Sequence, residues 1–239
     1  MPYLDNRLMA RPLYLQVRDV LVQRIVVGQW KPGGTLPNET LLAQQLGISI
    51  GTVRKALDLM ESERIVTRRQ GRGTFVNDYA SETLFPFSTF HNFEGQRISG
   101  TKRAKSISRV QADAEEASRL GLQRGEELIK VERLREHQGR IFMTETCLLP
   151  ARYFNRLPDD LGPYRLSALA QLNGILVGPA DERVDVALAT AEDAKDLDVA
   201  DGTPLLRLDR TIFSDQGDRL EWRVARCALR HERYVVRFV

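Results

Sequence analysis

The chain is poor in the residues that carry most covalent and metal chemistry: 239 residues include two cysteines, Cys147 and Cys227, and three histidines, His91, His137 and His231. None of these falls at metal-ligand spacing or in an arrangement that would activate a thiolate, and His137 beside Gly139 reads as a turn residue. No metal, no cofactor and no catalytic residue is expected, and the chain reads as cytosolic and reduced. Long apolar runs are missing too. No stretch approaches the ~20 residues needed to cross a bilayer, and Met1 to Arg11 hold no apolar segment of signal-peptide type. A strong excess of one charge is also lacking: 35 Lys and Arg against 32 Asp and Glu leave +3, too little to establish a polyanionic partner. What remains is the composition of a globular protein, with a length that favours two domains.

The distribution of charge says more than its sum. Arg64, Arg68, Arg69 and Arg72 crowd one short stretch, whereas Asp113, Glu115, Glu116, Glu126 and Glu127 crowd a later one. On charge alone a solvated face is the simpler reading of the first cluster. Its surroundings change that. Pro12 can open a helix in which Leu13, Val17, Val20, Leu21 and Ile25 lie along one face, ended by Gly28. Asn38 is a natural N-cap for a short helix over Glu39 to Leu46 that buries Leu42, Ala43 and Leu46, and Gly47 stops it. Ser49 caps a third helix with Val53, Leu57 and Met60 inward, leaving Ile50, Gly51, Thr52, Arg54 and Lys55 near its outer N-terminal end. Ile65 to Arg68 and Thr74 to Val76 then read as a hairpin around Gln70, Gly71, Arg72 and Gly73. Helix, tight turn, helix and hairpin make a winged helix-turn-helix. A helix of that width fits the DNA major groove while a cationic loop holds phosphates.

The segments PLYLQV, GQWKPGGTLPNETLLAQQLGIS, TVRKAL and RRQGRGTFV resemble the GntR family of bacterial regulators, from Pro12 to Val76 almost without gaps. The resemblance implies that Ser49, Thr52 and Arg54 contact DNA from the recognition helix, and Arg69, Gln70, Gly71, Arg72 and Gly73 from the wing. Two positions depart from the family: many relatives have arginine where this chain has Thr40 and Ile50. Losing a guanidinium that reads guanine is worth ~1 to 3 kcal/mol of discrimination, so an unusual operator is expected, with Ile50 free to meet a thymine methyl. For Arg54 an ion pair with Asp58 at i+4 is the competing structural role.

Residues 1–76 are therefore expected to form the DNA-binding domain, 77–83 a linker, and 84–239 an α+β domain for effector binding and dimerisation. Helices are expected over Asp113 to Leu120, Leu166 to Asn173 and Ala191 to Leu197, between β-prone runs. LGLQRGEELIKVERLREHQGRIFMTETCLLP and LDVADGTPLLRLDRTIFSDQGDRLEWRVARC resemble the effector-binding (UTRA) domain of the HutC branch of the GntR family, which shares its fold with chorismate lyase. Period-two alternation puts Ile129, Val131, Arg133 and Arg135 on one strand face, and Ile141, Met143, Glu145 and Cys147 on another. Guanidinium groups on an apolar face call for an acidic partner or an anionic ligand. A turn that leaves three residues unpaired sets Arg133 opposite Glu145, and a two-residue turn separates them. The resemblance implies an effector site of Ser88, Thr89, Arg133, Arg135, Glu145, Ser167 and Glu221, with Tyr234 and Arg226 as further candidates. Ser167 could equally be an N-cap, and Arg133 with Glu145 a plain ion pair.

The function that follows is a homodimeric repressor whose hold on palindromic operator DNA is set by a small anionic metabolite. Two alternatives stay open: an enzyme of lyase-like fold acting on a small acid, and a constitutive DNA-binding dimer without effector.

Overall fold

The computed structural model describes residues 11–63, 65–77, 88–98 and 100–236, so Arg64 and most of the expected linker, residues 78–83, lie outside the described residues. The chain divides into two compact units, Met1–Leu84 and Phe85–Val239.

In the first unit, α1 (Leu13–Val26) follows Pro12, and α2 (Glu39–Leu46) and α3 (Ile50–Ser62) start where two side chains accept helix N–H groups: Asn38 from Leu41 N, and Ser49 from Thr52 N. Between them Gly47 takes the left-handed conformation, φ 67 and ψ 35, that turns the chain from α2 into α3. Leu42, Val53, Ala56, Leu57 and Met60 are buried together. The buried face of α1 differs from the expected one. Val17, Leu21, Val22 and Ile25 go in, whereas Leu13 and Val20 stay exposed. The face is rotated because Arg18 is drawn inward by Glu63 Oε2 at 2.8 Å and Asp19 Oδ1 at 3.0 Å. The hairpin is β1 (Val66–Arg69) and β2 (Gly73–Val76), paired antiparallel with Arg69 across from Gly73. The segment before α2 lies along the other side of β2, with Leu36 N donating to Thr74 O at 2.8 Å.

The second unit is α+β. Three short strands, β3 (Ser88–His91), β4 (Arg97–Ile98) and β11 (Arg233–Val236), form one sheet in the order β11-β3-β4. The larger sheet has the order β5-β6-β7-β10-β9-β8 and is antiparallel throughout. Its strands are β5 (Thr101–Gln111), β6 (Glu127–His137), β7 (Arg140–Pro150), β8 (Val177–Leu188), β9 (Pro204–Ser214) and β10 (Arg219–Cys227). Three helices occupy the expected places: α4 (Ala114–Leu120), α5 (Leu166–Leu172) and α6 (Ala191–Leu197). Asp113 and Thr190 cap α4 and α6 through reciprocal side-chain bonds. Both faces of the sheet are covered, so successive residues of β6 are both buried. Leu128 packs with Ala117, Leu120, Leu148 and Trp222 under α4, and Ile129 with Cys147, Leu149, Leu166 and Leu169 under α5.

The β6–β7 hairpin settles the register question in an unexpected way. Its turn is the two-residue Gln138–Gly139, both at positive φ (50 and 77), which alone would set Arg133 against Thr144. Phe142 is inserted as a bulge between the pairs Glu136–Ile141 and Arg135–Met143, and the shift of one restores Arg133 opposite Glu145. The same bulge separates Ile141 from the face expected for it. Ile141 packs with Ala189, Leu197 and Leu205, while Phe142 and Met143 join Phe90 and Ile98.

Replacing Gly47 by alanine forces a Cβ into the left-handed region at a cost of ~1 to 2 kcal/mol. The expected outcome is roughly tenfold faster hydrogen exchange of α2 and α3 amides in Gly47→Ala, with exchange in the large sheet unchanged.

Candidate functional site

The first candidate surface is the N-terminal end of α3 with the hairpin beside it. Ser49, Ile50, Gly51, Arg54 and Lys55 are exposed, as is Thr40 at the start of α2, while Thr52 is half-buried. Ser49 and Thr52 are bonded to one another, Oγ to Oγ1 at 2.9 Å, as well as through the cap. Arg54 does not pair with Asp58. Its Nε donates to Glu39 Oε2 of α2 at 2.9 Å, because a side chain on the first turn of α3 faces the start of the preceding helix. Asp58 is held instead by Arg68 of β1. Arg68 also reaches Glu39 Oε1 at 3.4 Å, Glu61 Oε2 at 3.5 Å and the Arg54 carbonyl at 3.3 Å. It is therefore spent within the fold. Lys55 sits over the Tyr14 ring at 4.2 Å and Arg69 over Phe75 at 4.7 Å.

Arg72 and Gln70 stay exposed at the tip of the hairpin. Gly71 (φ 69) and Gly73 (φ 108) shape that tip, and no neighbour would meet a Cβ on either, so they leave backbone open to whatever approaches. Exposed helix N-terminus, open glycine backbone and arginine tip together suit a polyanion of helical form, which supplies a groove and flanking phosphates.

The second candidate site lies in the large sheet, on the face that α5 covers. Arg133 and Glu145 are 1% and 4% exposed and joined Nε to Oε2 at 2.7 Å. Arg133 Nη1 donates to the Tyr164 carbonyl at 3.3 Å, and the guanidinium carbon stands 4.8 Å from the centre of the Tyr164 ring. The other oxygen of Glu145 faces Arg135 at 3.6 Å and Arg223 at 3.5 Å. Arg223 Nε in turn donates to Glu221 Oε1 at 2.6 Å, and Tyr164 Oη to Glu221 Oε2 at 2.6 Å. Burial alone would raise the Glu145 pKa, but Arg133, Arg135, Arg223 and Lys102 outweigh it and hold the carboxyl well below the usual range. Burial pushes the Tyr164 phenol and the Cys147 thiol upward, so both remain protonated at neutral pH. Among the described residues no acceptor meets the buried Arg133 Nη2.

The structure thus brings Arg133, Arg135, Glu145 and Glu221 together and sets the other expected residues apart. Tyr234 stacks on Phe90 at 5.3 Å and donates to Glu182, which binds Arg210 Nε at 2.7 Å; Arg210 lies across from Arg223 in the β9–β10 pairing. Ser167 is half-buried in α5 and does not cap it, since Arg165 holds the cap position. Arg226 is on the opposite face, 3.7 Å from Asp193 of α6. Ser88 and Thr89 lie on β3, and their side chains fall outside the described residues. Sequence reasoning missed Arg223 and Tyr164. Arg223 carries a signal, standing two residues beyond Glu221 on the same strand, whereas Tyr164 comes from an irregular segment with none.

Two family profiles match the chain: "Bacterial regulatory proteins, gntR family" over residues 13–76 and "UTRA domain" over residues 96–234. The chain is 26% identical to the HTH-type transcriptional repressor NagR of Bacillus subtilis, covering 96% of this chain and 95% of that one. It is 24% identical to the mannosyl-D-glycerate transport/metabolism system repressor MngR of Escherichia coli, over 82% and 83% of the two chains. Among solved structures, PhnF of Mycobacterium smegmatis is similar with 25% identity and a TM-score of 0.51, covering 88% of this chain and 93% of that one.

The Glu145 carboxylate generates a stability prediction. Its depressed pKa contributes stability that is complete above the unfolded value of ~4.3 and is lost as pH falls below it. Glu145→Gln should remove that acid-side slope from the unfolding profile of the second unit. It should also cost ~3 to 5 kcal/mol at pH 7, because the buried guanidinium groups lose their counter-charge.

Proposed function

Because the chain belongs to the GntR family of bacterial regulatory proteins, with a UTRA domain behind its winged helix-turn-helix, it is a DNA-binding transcription regulator, and we propose that it is a repressor released by a small anion. Residues 1–76 read the operator and 84–239 bind the effector, with 77–83 linking them. The reading head is the start of α3, with Ser49, Ile50, Gly51, Thr52, Arg54, Lys55 and the adjacent Thr40. The wing residues Arg69, Gln70, Gly71, Arg72 and Gly73 hold the flanking backbone. The observation that carries this reading is the free arginine tip beside the exposed first turn of α3, which gives one unit both a groove-reading element and a phosphate clamp.

The effector site is the cluster of Arg133, Arg135, Glu145 and Glu221, to which the family resemblance adds Ser167, Tyr234, Ser88 and Thr89 as further contacts. The donor left over on Arg133 supports a ligand there, since a buried guanidinium nitrogen without an acceptor is costly. The same cluster argues against an enzyme: its carboxylates are locked in ion pairs and its phenol and thiol stay protonated, so none of these groups is a free base. The names of NagR and MngR as repressors support the direction of control.

A winged helix covers a short stretch of DNA, so two copies reading a palindrome are the natural unit. The edge strand β8 suits that pairing. It exposes Val184, Val186 and Leu188 at 52%, 75% and 65%, and a two-fold axis at Val184 would set Arg183 of one copy beside Asp185 of the other. Effector binding then alters the paired domains and, through residues 77–83, the spacing of the two wings. All of this takes place in the cytoplasm, where the operator is.

Selection of genomic fragments on the full-length protein tests the reading: enrichment of an inverted repeat is expected, and equal weak retention of every duplex at low salt would overturn it. Arg72→Ala should weaken operator and random DNA alike and lower the slope of log K against log salt by about one. Ile50→Arg should instead shift preference towards guanine at one position of each half-site, by ~1 to 3 kcal/mol. Val186→Asp should give a monomer by sedimentation.

A further inference from the structure

The buried charges on the Arg133 face of the sheet do not balance. Apart from the exposed Arg109–Glu127 pair, the pairing registers place five cations there, Lys102, Arg133, Arg135, Arg210 and Arg223, beside three carboxylates, Glu145, Glu182 and Glu221. Each carboxylate is already engaged. Glu145 is shared among Arg133, Arg135 and Arg223, Glu221 is held by Arg223 and Tyr164, and Glu182 by Arg210 and Tyr234. Lys102 stands directly across from Arg135 on the edge strand β5, half-buried, and among the described residues no carboxylate forms an ion pair with it. Two positive charges in excess, one donor of Arg133 without an acceptor and a lysine beside three guanidinium groups all call for the same thing: negative charge supplied from outside.

We propose that Lys102 is a ligand-contact residue of this site, and that with Arg133, Arg135 and Arg223 it selects a dianion, such as a phosphate monoester or a dicarboxylate, over monoanions. The inference rests on the effector-site reading above and adds to it a residue, a charge and a proton. The proton follows from Lys102. Burial first, then Arg135, Arg133 and Arg223, lower its pKa to about 8 against the opposing pull of Glu145. From the segment that covers this end of β5, Asp160 is turned onto its own backbone, accepting from Gly162 N at 2.8 Å, and the Tyr164 hydroxyl is committed to Glu221. A bound dianion reverses the repulsion and returns Lys102 towards the ordinary ~10.4. Above pH 8 binding then takes up a proton, so affinity falls as pH rises, by about tenfold between pH 7 and pH 9.

NMR titration of the lysine-labelled full-length protein tests this with sulfate, dianionic across the whole range, with succinate, and with nitrate as the monoanion, at fixed ionic strength. Lys102 is expected to titrate near pH 8 without anion and to move upward with sulfate. Sulfate should bind about tenfold more weakly at pH 9 than at pH 7, and nitrate not at all; the order of sulfate and succinate tells a phosphate-like ligand from a dicarboxylate. Lys102→Met, which keeps the apolar stem, should bind sulfate more weakly at pH 7 and with no change up to pH 9. Unchanged sulfate affinity in Lys102→Met, or nitrate binding as well as sulfate, overturns the proposal. If Arg135→Met loses sulfate while Lys102→Met does not, the effector site stands and the role of Lys102 falls. If the native protein binds neither dianion, or both variants bind as it does, the site itself is misplaced and the proposal falls with it.

Discussion

The contact between Arg133 and Glu145 is the constraint around which the second unit is arranged. Two full charges have been taken out of water in the middle of a sheet, and they are tolerable only because each is met by further partners: Arg135 and Arg223 on the carboxylate side, the Tyr164 ring and carbonyl on the guanidinium side. Each partner comes from a different place. Arg135 shares the strand of Arg133, Arg223 belongs to β10, and Tyr164 to the irregular segment before α5. The ion pair is therefore met from two strands and a loop, on the register that the Gln138–Gly139 turn and the Phe142 bulge give β6 and β7. An apolar core of the same volume would be at least as stable. The polar one adds a guanidinium nitrogen that no acceptor among the described residues meets.

The two units use arginine in opposite ways. In the first, Arg68 and Arg18 are tied to carboxylates of their own fold, and Arg72 is left exposed at a tip. The partly exposed pairs of Arg68 add little to stability, but such pairs decide which guanidinium groups are at hand for a partner. In the second, the arginines around Glu145 are buried or half-buried, and what they present is charge rather than surface. The same side chain is thus set in two dielectric surroundings, one at a protruding loop and one inside a covered sheet.

Much of this was legible in the sequence, and the exceptions have identifiable causes. The caps Asn38 and Ser49 were readable because capping is a local bond between a side chain and an amide a few residues on. Helices α4, α5 and α6 were found by periodicity alone. The facing of Arg133 and Glu145 was conditional on a three-residue turn, and the true route, a two-residue turn with Phe142 bulged, leaves no mark that alternation can detect. The rotated face of α1 was missed because Arg18 is charged, and no pattern says that a charged residue will be drawn in by Glu63, distant in the chain. Ser167 and Tyr234 were assigned by resemblance, and their places beside α5 and Glu182 depend on packing of segments that share no periodicity.

Arg68 also has a mechanical consequence. With Asp58, Glu61, Glu39 and the Arg54 carbonyl all bound to one guanidinium, hairpin and helix are riveted into a single stiff plate. Four acceptors on one side chain favour hairpin and helices shifting together over shifting apart. Adjustment of grip then comes from moving the hairpin and helices together, as a caliper is set by its jaws and not by flexing its steel.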